Sequence, residues 1–298
     1  MSRSGFAILV GRPNVGKSTL TNALVGEQVA ITSSRPQTTR HTIRGVRNIG
    51  EDQIILVDTP GIHRPRTLLG RRLNDLVTSA IGEVDVVVLC LPADQKIGPG
   101  DRFIADKLQG LKKRQKLVVA LTKADLVGKA GLAPALQAAA DFTADLPVTD
   151  YVPVSGRDGS NVEELAGVLA GLMPEGPPLF GDELTDQPER VVVAELIRES
   201  ALERLRDELP HSVAVEVDEM GPREGRDDLI DIYAVLYVER DSQKPIVLGR
   251  RGAQLKEIGA QSRTKIEALL GSKVYLNLHV KVAKDWQNNP AALRRMGF

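Results

Sequence analysis

The sequence predicts two domains: a doubly wound, mostly parallel α/β sheet, then a smaller α+β domain with the element order αββααβ. Three observations carry that expectation. Over residues 1–175, continuous apolar runs of strand length alternate with helical patterns, the signature of strands buried on both faces. Pro174, Gly176, Pro177 and Pro178, followed by acidic and polar residues, mark an interdomain linker over 176–190. From 191 to 298 the element order changes and the charge separates into blocks.

In the first domain the expected strands are residues 6–10, 53–57, 84–91, 116–121 and 151–154. The expected helices fall near 17–25, 68–81, 100–112, 132–142 and 162–172. Residues 42–49 face 53–57 across a short glycine-containing turn, which predicts an antiparallel hairpin at the sheet edge. In the second domain, residues 191–209 place Val192, Leu196, Ile197, Ala201, Leu202 and Leu205 on one helical stripe. Residues 212–220 alternate apolar with acidic side chains as a half-exposed strand, with Val213, Val215 and Val217 inward. A polar loop over 221–228, a strand over 229–239, a helix over 260–270 and a last strand over 273–282 complete the order.

Gly11-Arg12-Pro13-Asn14-Val15-Gly16-Lys17-Ser18 is a full G-x-x-x-x-G-K-S phosphate loop between a strand and a helix. Its backbone N–H groups, with Thr19 following in the helix, suit a polyphosphate; Lys17 reaches the outer phosphates and the Ser18 hydroxyl suits Mg²⁺. Asp58-Thr59-Pro60-Gly61 closes the strand 53–57, where open α/β sheets place ligands. Asp58 would hold Mg²⁺ through water and the Gly61 N–H would meet the γ-phosphate. Alone, Asp-Thr-Pro-Gly would read as an ordinary turn closing a strand; after the phosphate loop it reads as a further element of a nucleotide site.

Thr122-Lys123-Ala124-Asp125 chooses the base. The Asp125 carboxylate can accept from guanine N1–H and the N2 amine together, whereas adenine offers neither donor and would leave it unpaired. Lys123 can lie over the base. Asn commonly occupies the position of Thr122, so one amide contact is given up. Ser155-Gly156, after the strand 151–154, fits the short loop whose backbone meets guanine O6; Ala is the usual second residue.

The 298 residues are 42% hydrophobic and 26% charged, ordinary for a globular chain. No apolar stretch approaches the ~20 residues of a membrane span, and the start runs straight into the first strand. The one cysteine, Cys90, lies in an apolar run and reads as a buried thiol of a reducing compartment. A cytoplasmic monomer is expected. Formal net charge is zero, yet residues 190–243 hold seven Lys/Arg against fourteen Asp/Glu, a balance of −7. Residues 244–298 hold eleven against three, a balance of +8. Such an asymmetry points to a localised polyanion site or to a solvated basic face.

Within that basic block, Gly249-Arg250-Arg251-Gly252 separates two helical segments of the αββααβ order, which is the type-II KH arrangement. Without side chains at its two glycines such a turn can press against a nucleic-acid backbone, with Arg250, Arg251 and nearby Lys256 beside the phosphates. Aromatics are scarce here, so hydrogen bonds and aliphatic packing are expected to recognise the bases.

The phosphate loop, the run Gln37-Thr38-Thr39-Arg40-His41, Asp-Thr-Pro-Gly and the KH arrangement together resemble the Era family of bacterial GTPases, over essentially the whole chain including the tail from Asp285-Trp286. The resemblance implies a GTP-hydrolysing switch that binds the 3′ end of small-subunit ribosomal RNA and assists maturation of the small ribosomal subunit. It also implies peripheral membrane association, and that a threonine of 37–41 closes over Mg²⁺: Thr39 by the family pattern, Thr38 as the alternative. A signalling switch with a protein- or lipid-binding second domain, and an RNA chaperone with negligible turnover, compete with that reading.

Many small GTPases carry a catalytic Gln directly after D-x-x-G; this chain has Ile62. An aliphatic side chain cannot orient the attacking water, so unassisted turnover should be slow, on the order of 10⁻⁴ s⁻¹. Two rescues are open, a macromolecular partner or a K⁺ ion beside the phosphates, and Asn14 matches the Asn that ligates K⁺ in related enzymes. A plain turn residue is the other reading of Asn14.

Overall fold

The computed structural model describes the chain apart from residues 1, 33–37, 182–184, 186, 207 and 208 and the side chains of 211 and 227. Two compact units make it up, the second being in the main Gln187–Phe298. Among the described residues no helix is long and apolar enough to cross a membrane.

The first unit runs β1 (Ser4–Val10), α1 (Lys17–Val25), β2 (Ile43–Ile49), β3 (Asp52–Asp58), α2 (Leu68–Ile81), β4 (Val86–Pro92) and α3 (Pro99–Leu108). It continues with β5 (Lys116–Thr122), α4 (Gly128–Phe142), β6 (Val148–Pro153) and α5 (Val162–Leu172). The sheet order is β2-β3-β1-β4-β5-β6, with β2 antiparallel to β3 and the other pairs parallel. Successive strand residues serve opposite faces. Ala7, Leu9, Val86, Val88 and Cys90 join Leu20, Leu24, Leu165 and Leu169 of α1 and α5. Ile8, Val10, Val87 and Leu89 join Val77, Ile104, Leu108 and Ala139 of α2, α3 and α4. Both faces are dry, which is why these strands read as unbroken apolar runs.

The segment expected as linker begins as a strap on this unit. Gly176 N–H donates to Ser2 O at 3.0 Å, and Thr185 bridges Gly45 of edge strand β2. Gln53, 1% exposed, holds the strap with both ends of its amide. Its Oε1 accepts from Leu179 N at 2.8 Å and Phe180 N at 2.9 Å, and its Nε2 donates to Phe180 O at 2.9 Å.

The second unit runs α6 (Glu189–Arg204), a short α7 (Leu209–Ser212), β7 (Ala214–Arg223), β8 (Arg226–Val238), α8 (Lys244–Leu248), α9 (Ala253–Leu270), β9 (Lys273–Val282) and α10 (Pro290–Arg295). Its sheet order is β7-β8-β9, the first pair antiparallel and the second parallel. The expected αββααβ order is present, with three corrections of extent and one of pattern. The first helix stops at Arg204 rather than residue 209. The expected loop 221–228 is mostly strand, β7 and β8 meeting at a turn over 224–225. Cross-strand hydrogen bonding absorbs the polar residues there, and Arg223 pairs with Asp231 at 2.7 Å. The later helix begins at Ala253, not 260, because Gly259 is tolerated inside it. Finally, Val215 is only half-buried, and the register shifts between Val217 and Glu219, which a simple alternation does not anticipate. The tail folds back: Trp286 is fully buried, donates from Nε1 to Ser212 O at 2.9 Å and stacks on Phe298.

Candidate functional site

At the end of β1 the chain turns through left-handed backbone at Asn14 (φ 64°) and Gly16 (φ 97°) into α1. Lys17 is buried and donates from Nζ to the Gly11 and Arg12 carbonyls at 3.3 and 3.2 Å. Desolvation pushes its ammonium below its ordinary pKa, with Asp58 pulling it back. Burial likewise raises the Asp58 carboxyl, which Lys17, Ser18 and Thr39 lower in part. Ser18 Oγ donates to Asp58 Oδ2 at 2.7 Å and lies 2.9 Å from Thr39 Oγ1. Thr39 Oγ1 donates to the same carboxylate oxygen at 3.4 Å. Three oxygen groups from α1, β3 and the segment before β2 therefore converge. Gln37 of the expected run lies outside the described residues.

Thr59 Oγ1 donates to Leu9 O at 2.8 Å, fixing the start of the D-x-x-G loop on β1. Pro60 and Gly61 follow, and Gly61 packs against Pro13 of the phosphate loop. Ile62 N–H donates to Gly11 O at 3.1 Å, and the Ile62 side chain is buried among Ile8, Val10 and Val57. That residue faces the core rather than a phosphate. Arg12 does not aim at a phosphate either; its Nε donates to both oxygens of Asp101 at 3.0 and 3.1 Å, and its Nη2 to Gln95 Oε1 at 2.8 Å.

A cavity of about 200 Å³ gathers the residues assigned to the base: Thr122, Lys123, Asp125, Ser155 and Gly156, beside Gly16 and Thr19. Leu126, Leu20 and Arg157 line it as well. Leu126, outside every motif, is 54% exposed beside Asp125 and offers the kind of apolar surface that a purine would cover. Thr122 ties the two halves together, its hydroxyl donating to Val15 O at 2.6 Å and to Leu91 O at 3.3 Å. Ser155 Oγ accepts from Arg157 N at 3.2 Å and shapes its own loop. Gly156 has a spatial reason: a Cβ there would stand 2.9 Å from Leu20 Cα and Thr19 O. The loop approaches α1 more closely than alanine permits.

In the second unit, Gly249 closes α8 and Gly252 opens α9, with left-handed backbone at Arg251 (φ 54°) and Gly252 (φ 78°). No atom stands within 4 Å of a Cβ built at Gly252, so that face of the turn is open. Arg250, Arg251 and Lys256 are exposed. Ile246 of α8, three residues before the turn, is 53% exposed and supplies aliphatic surface that the motif did not reveal. Elsewhere in this unit, Tyr233 and Tyr275 sit edge-to-face at 6.4 Å and are 37% and 43% exposed, with the Arg223 guanidinium 4.9 Å over the Tyr275 ring. Their alternate neighbours Ile232 and Val274 are buried, so both rings stand on the sheet face away from that core.

A phosphate loop whose Ser18 meets the D-x-x-G aspartate and Thr39, a T-K-x-D cavity beside it and a separate KH unit define a guanine-nucleotide hydrolase with an appended nucleic-acid-binding fold. A family model described as 50S ribosome-binding GTPase matches residues 6–123, and a KH domain model matches residues 208–287. A protein described as GTPase Era from Mycobacterium sp. (strain JLS) is 60% identical over 297 residues, covering 99% of both chains. The GTPase Era of Mycolicibacterium smegmatis is 58% identical over the same share of each chain. A crystal structure of an Aquifex aeolicus Era variant bound to GDP and AlF4⁻ is similar at TM-score 0.93 and 37% identity, covering 99% of each chain. A crystal structure of Era with MgGDPNP and nucleotides 1506–1542 of 16S ribosomal RNA is similar at TM-score 0.94 and 37% identity, covering 100% of this chain and 99% of that one. The chain belongs to the Era family of GTPases, and it is a GTPase.

Proposed function

We propose that this protein is a GTP-driven switch whose first domain (residues 1–175) hydrolyses GTP. Its second domain (191–298), joined through 176–190, binds the 3′ end of small-subunit ribosomal RNA and assists assembly of the small ribosomal subunit. The observation that carries this is the Gly249–Gly252 turn, packed on Gln254 at Gly249 and open at Gly252, with its two exposed arginines, in a chain that matches, over both domains, a relative holding MgGDPNP and the 16S segment. The model for residues 6–123 carries the large subunit in its description, but it spans the nucleotide domain alone.

In this reading the backbone of residues 11–16 cradles the β-phosphate, and Lys17 exchanges its two loop carbonyls for phosphate oxygens. Gly61 meets the γ-phosphate, Lys123 covers the base and Asp125 selects guanine. Mg²⁺ fits Ser18, Thr39 and Asp58, because Asp58 Oδ1 is buried with no hydrogen-bond partner, and a buried carboxylate oxygen so placed suits a hard cation. Bound there, the ion would neutralise charge on the transferring phosphoryl group. The distances support Thr39 rather than Thr38 as the closing threonine. Ile62 does not position water, so turnover waits on a partner or on K⁺ held by Asn14. The protein works in the cytoplasm as a monomer, with membrane contact at most peripheral.

Filter binding of the full chain to oligonucleotides of the 16S 3′ end, with GTP, GDP and no nucleotide, tests the RNA assignment. Tight binding that weakens steeply with salt is expected. Equal affinity for unrelated single strands would remove the ribosomal assignment, and binding only to anionic vesicles would favour the membrane-switch reading.

A further inference from the structure

Residues 93–101, from the end of β4 into the first turn of α3, belong to none of the nucleotide motifs, yet they hold both halves of the site. Ala93 N–H donates to Thr122 O at 2.8 Å. Asp94 Oδ1 lies 3.9 Å from Lys123 Nζ. Gln95 Oε1 and both Asp101 oxygens take the Arg12 guanidinium at 2.8–3.1 Å. Asp101 is 1% exposed, and its Oδ2 also accepts from Gly98 N at 2.9 Å. The carboxylate that starts α3 is thus the one that holds the phosphate-loop arginine.

We propose that this segment is a brace that sets the distance between the phosphate and base halves of the site, with Asp101 and Asp94 as positioning residues for GTP. GTP has to touch both halves at once, through its phosphates and through guanine. Within the motifs, the Thr122 hydroxyl already ties the base half to Val15 of the phosphate loop at 2.6 Å; this segment adds a second tie, through the side chains of Arg12 and Lys123. A charge-assisted Arg–carboxylate contact is directional, and Asp101 is anchored on its other side by the α3 start. Slack between the halves would have to be removed on binding, and preorganisation lost in this way weakens the ligand without altering any group that touches it. The inference rests on Arg12 and Lys123 flanking the nucleotide.

Release of a fluorescent GDP from the full chain tests it. Asp101→Asn keeps an acceptor for Gly98 N–H but loses the charge that holds Arg12, and should speed release roughly tenfold. Arg12→Ala should do the same, and the double variant should be no faster than either single one, since both remove the same contact. Asp94→Asn and Gln95→Ala, both at exposed residues, should each speed release by about two- to fivefold. Unchanged release in Asp101→Asn with a lowered melting temperature would overturn the proposal and leave Asp101 as a helix cap alone. Additive effects of Arg12→Ala and Asp101→Asn would overturn it as well. Should Asp101→Asn not fold, unchanged release in both Asp94→Asn and Gln95→Ala decides against the brace. Lys17→Ala in the same assay separates the two readings: GDP affinity untouched by that change would mean the nucleotide site itself is misassigned.

Discussion

Ser18 Oγ donates to Asp58 Oδ2 at 2.7 Å, while the second oxygen of the same carboxylate is buried with no hydrogen-bond partner. A desolvated carboxylate held on one side only is a poor structural element and a good cation ligand. Asp58→Asn keeps the shape and removes the charge. It should weaken the Mg²⁺ dependence of turnover by at least about tenfold, an effect of roughly 1.4 kcal/mol, while nucleotide-free melting shifts by only a few degrees. Mg²⁺ titration of GTP hydrolysis reads this, and an unchanged titration would take Asp58 out of the metal site.

Asp125→Asn should exchange base preference. The amide donates where the carboxylate accepted, so GTP binding should drop and xanthosine triphosphate, with a C2 carbonyl, should gain. Competition between the two nucleotides for wild type and variant measures it. Equal wild-type affinity for ATP and GTP would contradict the assignment of this cavity.

The exposed KH turn gives a charge test. Gly252→Asp sets a carboxylate in open space at a left-handed position, where phosphates are expected, and adds about 1 kcal/mol of backbone cost. Aspartate at both Arg250 and Arg251 reverses charge without new backbone strain, since position 251 already carries a left-handed side chain (φ 54°). Both variants should lose single-stranded RNA while GTP affinity is retained. RNA affinity equal to wild type in both would move the site elsewhere.

Asn14 is exposed and left-handed at φ 64°, so Asn14→Ala would mix lost amide with backbone strain. Asn14→Gly removes the amide and keeps the turn. K⁺ should accelerate wild-type hydrolysis relative to Na⁺, and the variant should lose that difference but keep its GTP affinity. Matching wild-type rates in the two salts would leave the partner as the remaining activator.

Burial pushes the Cys90 thiol up to about 12, and its side chain is fully enclosed. Only the thiolate reacts, and it forms only as pH climbs toward that value. At pH 8 the folded protein should show no titratable thiol toward an aromatic disulfide reagent, and the denatured protein one. Rapid reaction of the native state would mean that β4 opens locally.

The first domain was legible because its strands are buried on both faces. Runs such as 84–91 and 116–121 leave no ambiguity of face, and each nucleotide motif falls where a strand must end. The second domain was less so: β7 and β8 are half-exposed, polar residues pair across the hairpin at Arg223 and Asp231, and alternation is interrupted by a bulge. Local sequence therefore misplaced a loop, a helix end and a helix start while keeping the order. At the site, Gly11, Lys17, Asp58 and Asp125 stand out in the sequence because each belongs to a short contiguous pattern, and the structure sets Lys17 against Gly11 O, Asp58 against Ser18 and Asp125 in the cavity. What only tertiary structure decided are contacts between distant segments. Thr39 reaches the Ser18–Asp58 pair. Thr122 ties Val15 to the base loop. Gly156 stands in contact with the backbone of α1. Arg12 turns to Asp101, 89 residues away. Pattern and spacing report the local chemistry of a segment; which oxygen meets which hydroxyl across the fold depends on packing, and that is written in the whole chain at once.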